Sequence, residues 1–206
     1  NVPFLEMVAQ EFDKLGIPAA HIHLQNDGDT AALGEYEFGG GGNEDPLIFL
    51  NCDVGVGAGV VLNDRLFTGA RGTAGEIGHS ILQVNGPLCS CGRRGCAEAF
   101  VGARALKEQT SLEHAAQYLG MMLQNLDAMF NPRVIVVGGR STVDHPGLVE
   151  AARNTQCAYA QSAGMQAPEV RPARYGLHAA AVGAAAMVLH QFLRPLLKEA
   201  NHVSGY

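Results

Sequence analysis

The chain has 206 residues, 47% of them hydrophobic and 17% charged, with 26 glycines and 5 cysteines. That is enough apolar side chain for the core of one domain, or two small ones, and the glycines cluster rather than repeat; disordered and collagen-like chains are both excluded. A formal net charge of −6 leaves no basic patch for phosphate neutralisation, so this segment is not expected to grip nucleic acid by itself.

In chain order, "FLEMVAQEFDKLG" sets Phe4, Leu5, Val8, Phe12 and Leu15 near helical spacing, and Gly16 with Pro18 ends a short amphipathic helix. "AAHIHLQNDGDTAALGEYEFGGGG" reads as a strand ending near Leu24, a sharp Asn26-Asp27-Gly28 turn and a helix opening around Thr30. "PLIFLNCDVGVGAGVVLNDRLFTG" reads as a glycine-rich hairpin: Leu47 to Asp53, Gly59 to Leu62, a turn at Asn63-Asp64, and a return over Arg65 to Thr68. In "LEHAAQYLGMMLQNLDAMFNP", Leu112, Ala116, Leu119, Leu123, Leu126 and Met129 predict a buried helix bounded by Pro132. "RVIVVGG" has the β-branched run of a central parallel strand, and "LVEAARNTQCAYAQ" follows as a helix. "AAAVGAAAMVLHQFLRPLL" is a small-residue helix suited to close packing against a sheet or a phosphate loop. No apolar run of about 18 or more residues is read here, nor a leader at the N-terminus, so a cytoplasmic chain without a membrane partner is expected. The fold class is α/β.

The stretch "CSCGRRGCAEAF" puts three cysteines into eight positions. With the upstream histidine it gives His79, Cys89, Cys91 and Cys96, four ligands that suit a closed tetrahedral structural zinc site. Gly92 and Gly95 let the backbone double back, and Arg93 and Arg94 soften the charge of three thiolates. A Cys89–Cys96 disulfide and free buried cysteines are the alternatives. Cys52 and Cys157 read as small core residues.

Just upstream, "GARGTAGEIGHS" sets Glu76 and His79 three apart, with Gly75 and Gly78 as small neighbours that let a ligand approach. A carboxylate accepts from vicinal hydroxyls, and an imidazole can bind metal through one nitrogen and a hydroxyl through the other. A metal-held histidine is thus a pre-oriented hydroxyl reader. Asn26 and Asp27 end a predicted strand, where open α/β sheets place ligand contacts, although the same dipeptide is common in turns.

Taken together, "QNDGDTAALGE", "DVGVGAGVVLNDRLFTGARGTAGEIGH" and "GPLCSCGRRGCAEAF" closely resemble the ROK (repressor, open reading frame, kinase) family, on the side of its xylose- and N-acetylglucosamine-repressor-type regulators. The late segments "NPRVIVVGG" and "LHAAAVGAAAMVL" look like the family's last strand and terminal helix. The resemblance implies an actin-like, ribonuclease-H-like sugar-kinase fold, mainly its C-terminal lobe with a zinc loop. Residues 1–45 would close the N-terminal lobe and carry the Asn-Asp turn, and 46–206 would form the C-terminal lobe. It implies that Asn26, Asp27, Glu76, His79 and Glu98 contact a monosaccharide or amino sugar, with Asp27 the general base if the protein is a kinase using Mg-ATP. It also implies a homodimer, and DNA contact only through an N-terminal helix-turn-helix absent from this chain.

The chain departs from the kinase pattern in several places. Where kinases read Gly-Thr-Gly in the hairpin loop, it has Asp53, Val54 and Gly55, so Gly55, Gly57 and Gly59 read as the remnant of a phosphate loop. Val54 cannot donate a hydrogen bond and Asp53 repels phosphate. The Asp-x-Gly-Gly-Thr loop is absent, the link between "VGARALKEQTS" and "LEHAAQYLG" is short, and Asp29 and His178 replace other residues. The expected function is the sugar-sensing effector domain of a ROK-type transcriptional regulator; the alternative is an ATP-dependent kinase for a hexose or N-acetylhexosamine.

Overall fold

The computed structural model describes residues 2–17, 22–39, 44–108 and 111–193. Helix α1 (Phe4–Lys14) forms as its periodicity predicts but has no buried residue. Residues 22–26 run without regular structure, so they do not continue the strand expected to end near Leu24; positions 19–21 of that strand lie outside the described residues. The "ND" dipeptide is a helix start rather than a turn. The Asn26 Oδ1 accepts from the amides of Gly28 at 2.8 Å and Asp29 at 3.3 Å, an N-cap that begins helix α2 (Asp27–Phe38) three residues before Thr30.

The hairpin follows as strands β1 (Leu47–Cys52) and β2 (Val56–Leu62). Asn63 and Asp64 both take positive φ, 54° and 62°, as a type I′ turn demands, and Asp45 accepts both of their amides, at 3.0 and 2.6 Å. The return strand β3 is only Arg65–Leu66. Beyond the cysteine loop come α3 (Glu98–Val101), α4 (Ala103–Glu108) and α5 (Leu112–Phe130), which ends on Asn131 at φ 44° just before Pro132. Then follow β4 (Val134–Gly138), α6 (Arg140–Asp144), α7 (Leu148–Ser162), the unanticipated β5 (Glu169–Pro172) and α8 (Ala179–Val188), which passes into a π-helical turn, Leu189–Leu193.

The sheet has the order β3-β2-β1-β4-β5; β1 pairs antiparallel with β2 and parallel with β4, and β4 parallel with β5. Alternate residues feed two cores. Ile48, Leu50, Cys52, Ile135 and Val137 pack beneath α5 and α7, while Leu47, Phe49, Val134 and Val136 pack beneath α2 and α8. This is why β1 and β4 read as unbroken apolar runs: each face is covered by helices, and each fully buried large side chain contributes about 1.5–3 kcal/mol.

Helix α8 packs over the sheet as expected, with Ala179 and Ala186 in the core above β1 and β4, and its small residues also allow a close approach to α2. A Cβ on Gly183 would lie 1.6 Å from the Thr30 carbonyl oxygen, and one on Gly34 would lie 3.0 Å from the Gly183 Cα. Joined by its flanking turns, the stretch Gly176–Leu193 is long and apolar enough to cross a bilayer by length and composition. Core helices pass the same test, and Ala179, Gly183, Ala186 and Met187 of this stretch are buried. Cys157 is exposed rather than core, on the outer side of α7, whereas Cys52 is buried as expected.

Candidate functional site

One cavity of about 340 Å³ opens where the N-terminus of α2, the β1–β2 loop, the 74–79 loop and the start of α3 meet, and Asn26, Asp27, Glu76, His79 and Glu98 all line it. Its volume lies within the range of small-molecule sites, about 300–1,000 Å³. A larger cavity of about 480 Å³ near α6, α7 and β5 contains none of these residues.

Each wall has a local cause. Asp27 sits in the first turn of α2, where its carboxylate favours the positive helix end; its Oδ1 accepts the Gly28 amide at 2.9 Å and its Oδ2 accepts from Asn51 Nδ2 at 3.1 Å. The 74–79 loop lies flush on β2, with the Ala58 amide donating to the Gly75 carbonyl at 2.7 Å. A Cβ on Gly75 or Gly78 would meet the carbonyl oxygens of Ala58 or Val56 at 1.9 or 2.0 Å. The two glycines therefore accommodate the strand backbone rather than a ligand, and so hold Glu76 and His79 at the rim. Of the loop-remnant glycines, Gly59 faces α2, where a Cβ would lie 2.3 Å from the Gly28 carbonyl oxygen, while Gly55 and Gly57 line the cavity.

Glu98 joins two parts of the site: its Oε2 accepts the Val56 amide at 3.2 Å, and its Oε1 accepts from Ser90 Oγ and lies 3.5 Å from Cys89 Sγ. Next to it, one ligand atom from each of His79, Cys89, Cys91 and Cys96 lies within 4.8 Å of all the others. The Cys91–Cys96 Sγ separation is 3.7 Å, as is that from Cys89 Sγ to His79 Nδ1. A tetrahedral ion at ordinary Zn–S and Zn–N distances has ligand–ligand edges of about 3.8 and 3.6 Å, so the donor set fits one metal ion. All three cysteines are free thiols, which removes the Cys89–Cys96 disulfide alternative. Gly92 and Gly95 take φ of 84° and 76°, the reversal that brings Cys96 back to the cluster. The Arg93 backbone and guanidinium hydrogen bonds lower the exposed Cys91 thiol to about 6, with Arg93 Nε 3.4 Å from its sulfur, while burial pushes Cys96 up to about 12.

One residue of the site, Asn51, was not singled out from sequence, and Asp53 was read only as a group that repels phosphate. Asn51, the one amide-bearing residue in the apolar run of β1, holds Asp27. Asp53 turns away to α6: its Oδ2 accepts the Arg140 amide at 3.3 Å, its Oδ1 lies 4.0 Å from Arg140 Nε, and its carbonyl accepts the Ala103 amide at 2.8 Å. Val54, at the loop tip, is 68% exposed.

The ROK family model matches residues 1–114 and 107–191, nearly the whole chain. This chain belongs to the ROK family. It is 29% identical over 206 residues to a xylose repressor of Bacillus subtilis, covering 88% of this chain and 53% of the repressor. It is also 29% identical over 209 residues to an N-acetylmannosamine kinase of Haemophilus influenzae, covering 89% of this chain and 66% of the kinase. Among solved structures it resembles a ROK hexokinase of Thermus thermophilus with a TM-score of 0.72 at 33% identity, covering 85% of this chain and 66% of that one. The chain spans about half the length of the repressor it matches. Its fold is that of the ROK sugar kinases, an actin-like mixed α/β sheet, and repressors and kinases alike are its relatives.

Proposed function

We propose that this chain is the sugar-sensing effector-binding part of a ROK-type transcriptional regulator, with Asn26, Asp27, Glu76, His79 and Glu98 reading the hydroxyls of a monosaccharide or amino sugar. Four carboxylates, two amides and one imidazole around a single cavity supply the mixed acceptors and donors a polyol needs. In this reading the metal is a structural zinc, and His79 uses one ring nitrogen for it and the other for the sugar.

The observation that carries the regulator reading is the β1–β2 loop. A small cavity of about 90 Å³ behind Asp27 is lined by Asp27, Asn51, Asp53, Gly139 and apolar neighbours, with two carboxylates and no lysine or arginine. At the loop tip Val54 has no hydroxyl to donate to a phosphate, and Asp53 sets a carboxylate beside it whose charge is shared with Arg140, 4.0 Å away. Supporting relatives include the xylose repressor of Bacillus subtilis. The second reading, an ATP-dependent sugar kinase with Asp27 as base, is favoured by the two-point anchoring of Asp27 and by the N-acetylmannosamine kinase relative.

The rest of the proposal concerns the assembly. Because α2 packs on β1 and β4 beside α8, the boundary expected at residue 45 moves to before α2 in this reading, with an N-terminal lobe ahead of it; the protein is a cytoplasmic homodimer, and DNA contact falls to a segment outside this chain. Sugar closing the lobes would shift the dimer between operator-bound and released states. The discriminating experiment is an ADP-release assay with Mg-ATP and a panel of hexoses, pentoses and N-acetyl sugars on the full-length protein, beside calorimetry with the same panel. Sugar binding without turnover supports the regulator; turnover that disappears in Asp27→Asn establishes the kinase.

A further inference from the structure

We infer that Asn51 is a positioning residue for Asp27, fixing the plane of its carboxylate toward the cavity; the functional part of this inference rests on the sugar-pocket reading above. Asn51 lies at the C-terminal end of β1 on the side chain parity of Leu47 and Phe49, the face covered by α2. From there its Nδ2 donates to Asp27 Oδ2 at 3.1 Å. The amide orientation follows from chemistry, because an ionised carboxylate only accepts. The Asp27 Oδ1 is held by the Gly28 amide at 2.9 Å, so each oxygen has one anchor and keeps acceptor capacity for a ligand.

The surroundings of Asn51 leave room for this side chain. Its register partners on both neighbouring strands are glycines, Gly57 on β2 and Gly138 on β4. A Cβ on Gly139 would lie 2.7 Å from the Asn51 Oδ1, so the glycine pair ending β4 is tied to the amide that reaches Asp27. An aliphatic residue at position 51 would leave Asp27 Oδ2 without this anchor, free to rotate about χ2. A carboxylate there would oppose Asp27 with like charge across a hydrogen-bond distance.

The test has two arms on the full-length, zinc-loaded protein. The first needs no sugar: the Asn51 side-chain amide cross-peaks in a ¹⁵N spectrum shift and lose protection from water exchange in Asp27→Ala. Unchanged cross-peaks overturn the contact. The second uses the near-isosteric Asn51→Asp, titrated calorimetrically with D-xylose, D-glucose and N-acetyl-D-mannosamine. Affinity for the sugar that binds wild type falls about tenfold or more, while the melting temperature and zinc content stay at wild type. Unchanged affinity, or a loss that tracks a lowered melting temperature, overturns the positioning role. If wild type binds none of the three sugars, the sugar reading fails for them and the amide spectrum alone decides whether Asn51 holds Asp27.

Discussion

The Nδ1 of His79 lies 3.7 Å from the Sγ of Cys89, and the same imidazole lines the cavity that holds Asp27 and Glu76. A metal at the cluster would therefore fix a ring that faces the cavity. Glu98 repeats the pattern: one oxygen lies beside Cys89 and Ser90, the other on the Val56 amide of the hairpin. The cysteine loop and the pocket thus share two residues, His79 and Glu98.

Metal analysis of the purified protein is expected to give about one zinc per chain, as one four-ligand site requires. Cys91→Ser removes an exposed ligand whose loss leaves no core cavity, so its effect reports the metal. Its Tm falls by about 5 °C or more, since ligation contributes to folding, and weaker sugar binding follows as His79 is released. An unchanged Tm would show that the cluster is not structural.

Glu98→Gln keeps the shape of the side chain but turns one acceptor into a donor facing either the Val56 amide or Ser90. Sugar affinity is expected to fall about tenfold, the cost of a lost hydrogen bond to a charged group, while zinc content stays at wild type. Calorimetry and metal analysis on the same sample check both halves.

Asp29 gives a pH signature. Burial raises its carboxyl above the ordinary 3.8; the Gln25 amide, 2.6 Å away, offsets part of this, and the charge of Asp27 adds to it. The folded state thus holds the proton more tightly than the unfolded chain. The associated stability is fully present below the unfolded value and is lost as pH rises through the folded one. Asp29→Asn, which cannot ionise, is expected to melt higher than wild type at about pH 7, with the gap closing toward about pH 4. Melting curves across that window check it; a gap independent of pH would contradict it.

Gly183→Ala tests the α2–α8 contact. Its methyl would lie 1.6 Å from the Thr30 carbonyl oxygen, so α8 must move off the helix that presents Asp27. A cost of about 1–3 kcal/mol is expected, lowering Tm by about 3–10 °C, with a parallel loss of sugar affinity. Wild-type stability and affinity would mean that the two helices part without disturbing the site.

The strands and long helices were legible because burial on two faces, or on one stripe, leaves a periodic trace: Leu47 to Cys52, Val134 to Gly138 and Leu112 to Phe130 follow it closely. The cysteine spacing likewise carried the metal cluster. Asn26 was ambiguous because the residue types that make turns also cap helices, and only the Gly28 and Asp29 amides decide between them. β5 was missed because Glu169–Pro172 has one buried residue and no alternation. Asn51 and Arg140 were missed because their partners, Asp27 and Asp53, are 24 and 87 positions away, and such pairings exist only once the sheet is built.

The most direct measurement is calorimetric titration of the metal-loaded, full-length protein with D-xylose, D-glucose and N-acetyl-D-mannosamine, repeated on Asp27→Ala and Glu76→Ala. One of these sugars is expected to bind at one per chain, with each substitution weakening it about tenfold or more. Absence of binding by all three, or binding unaffected by both substitutions, would contradict the account.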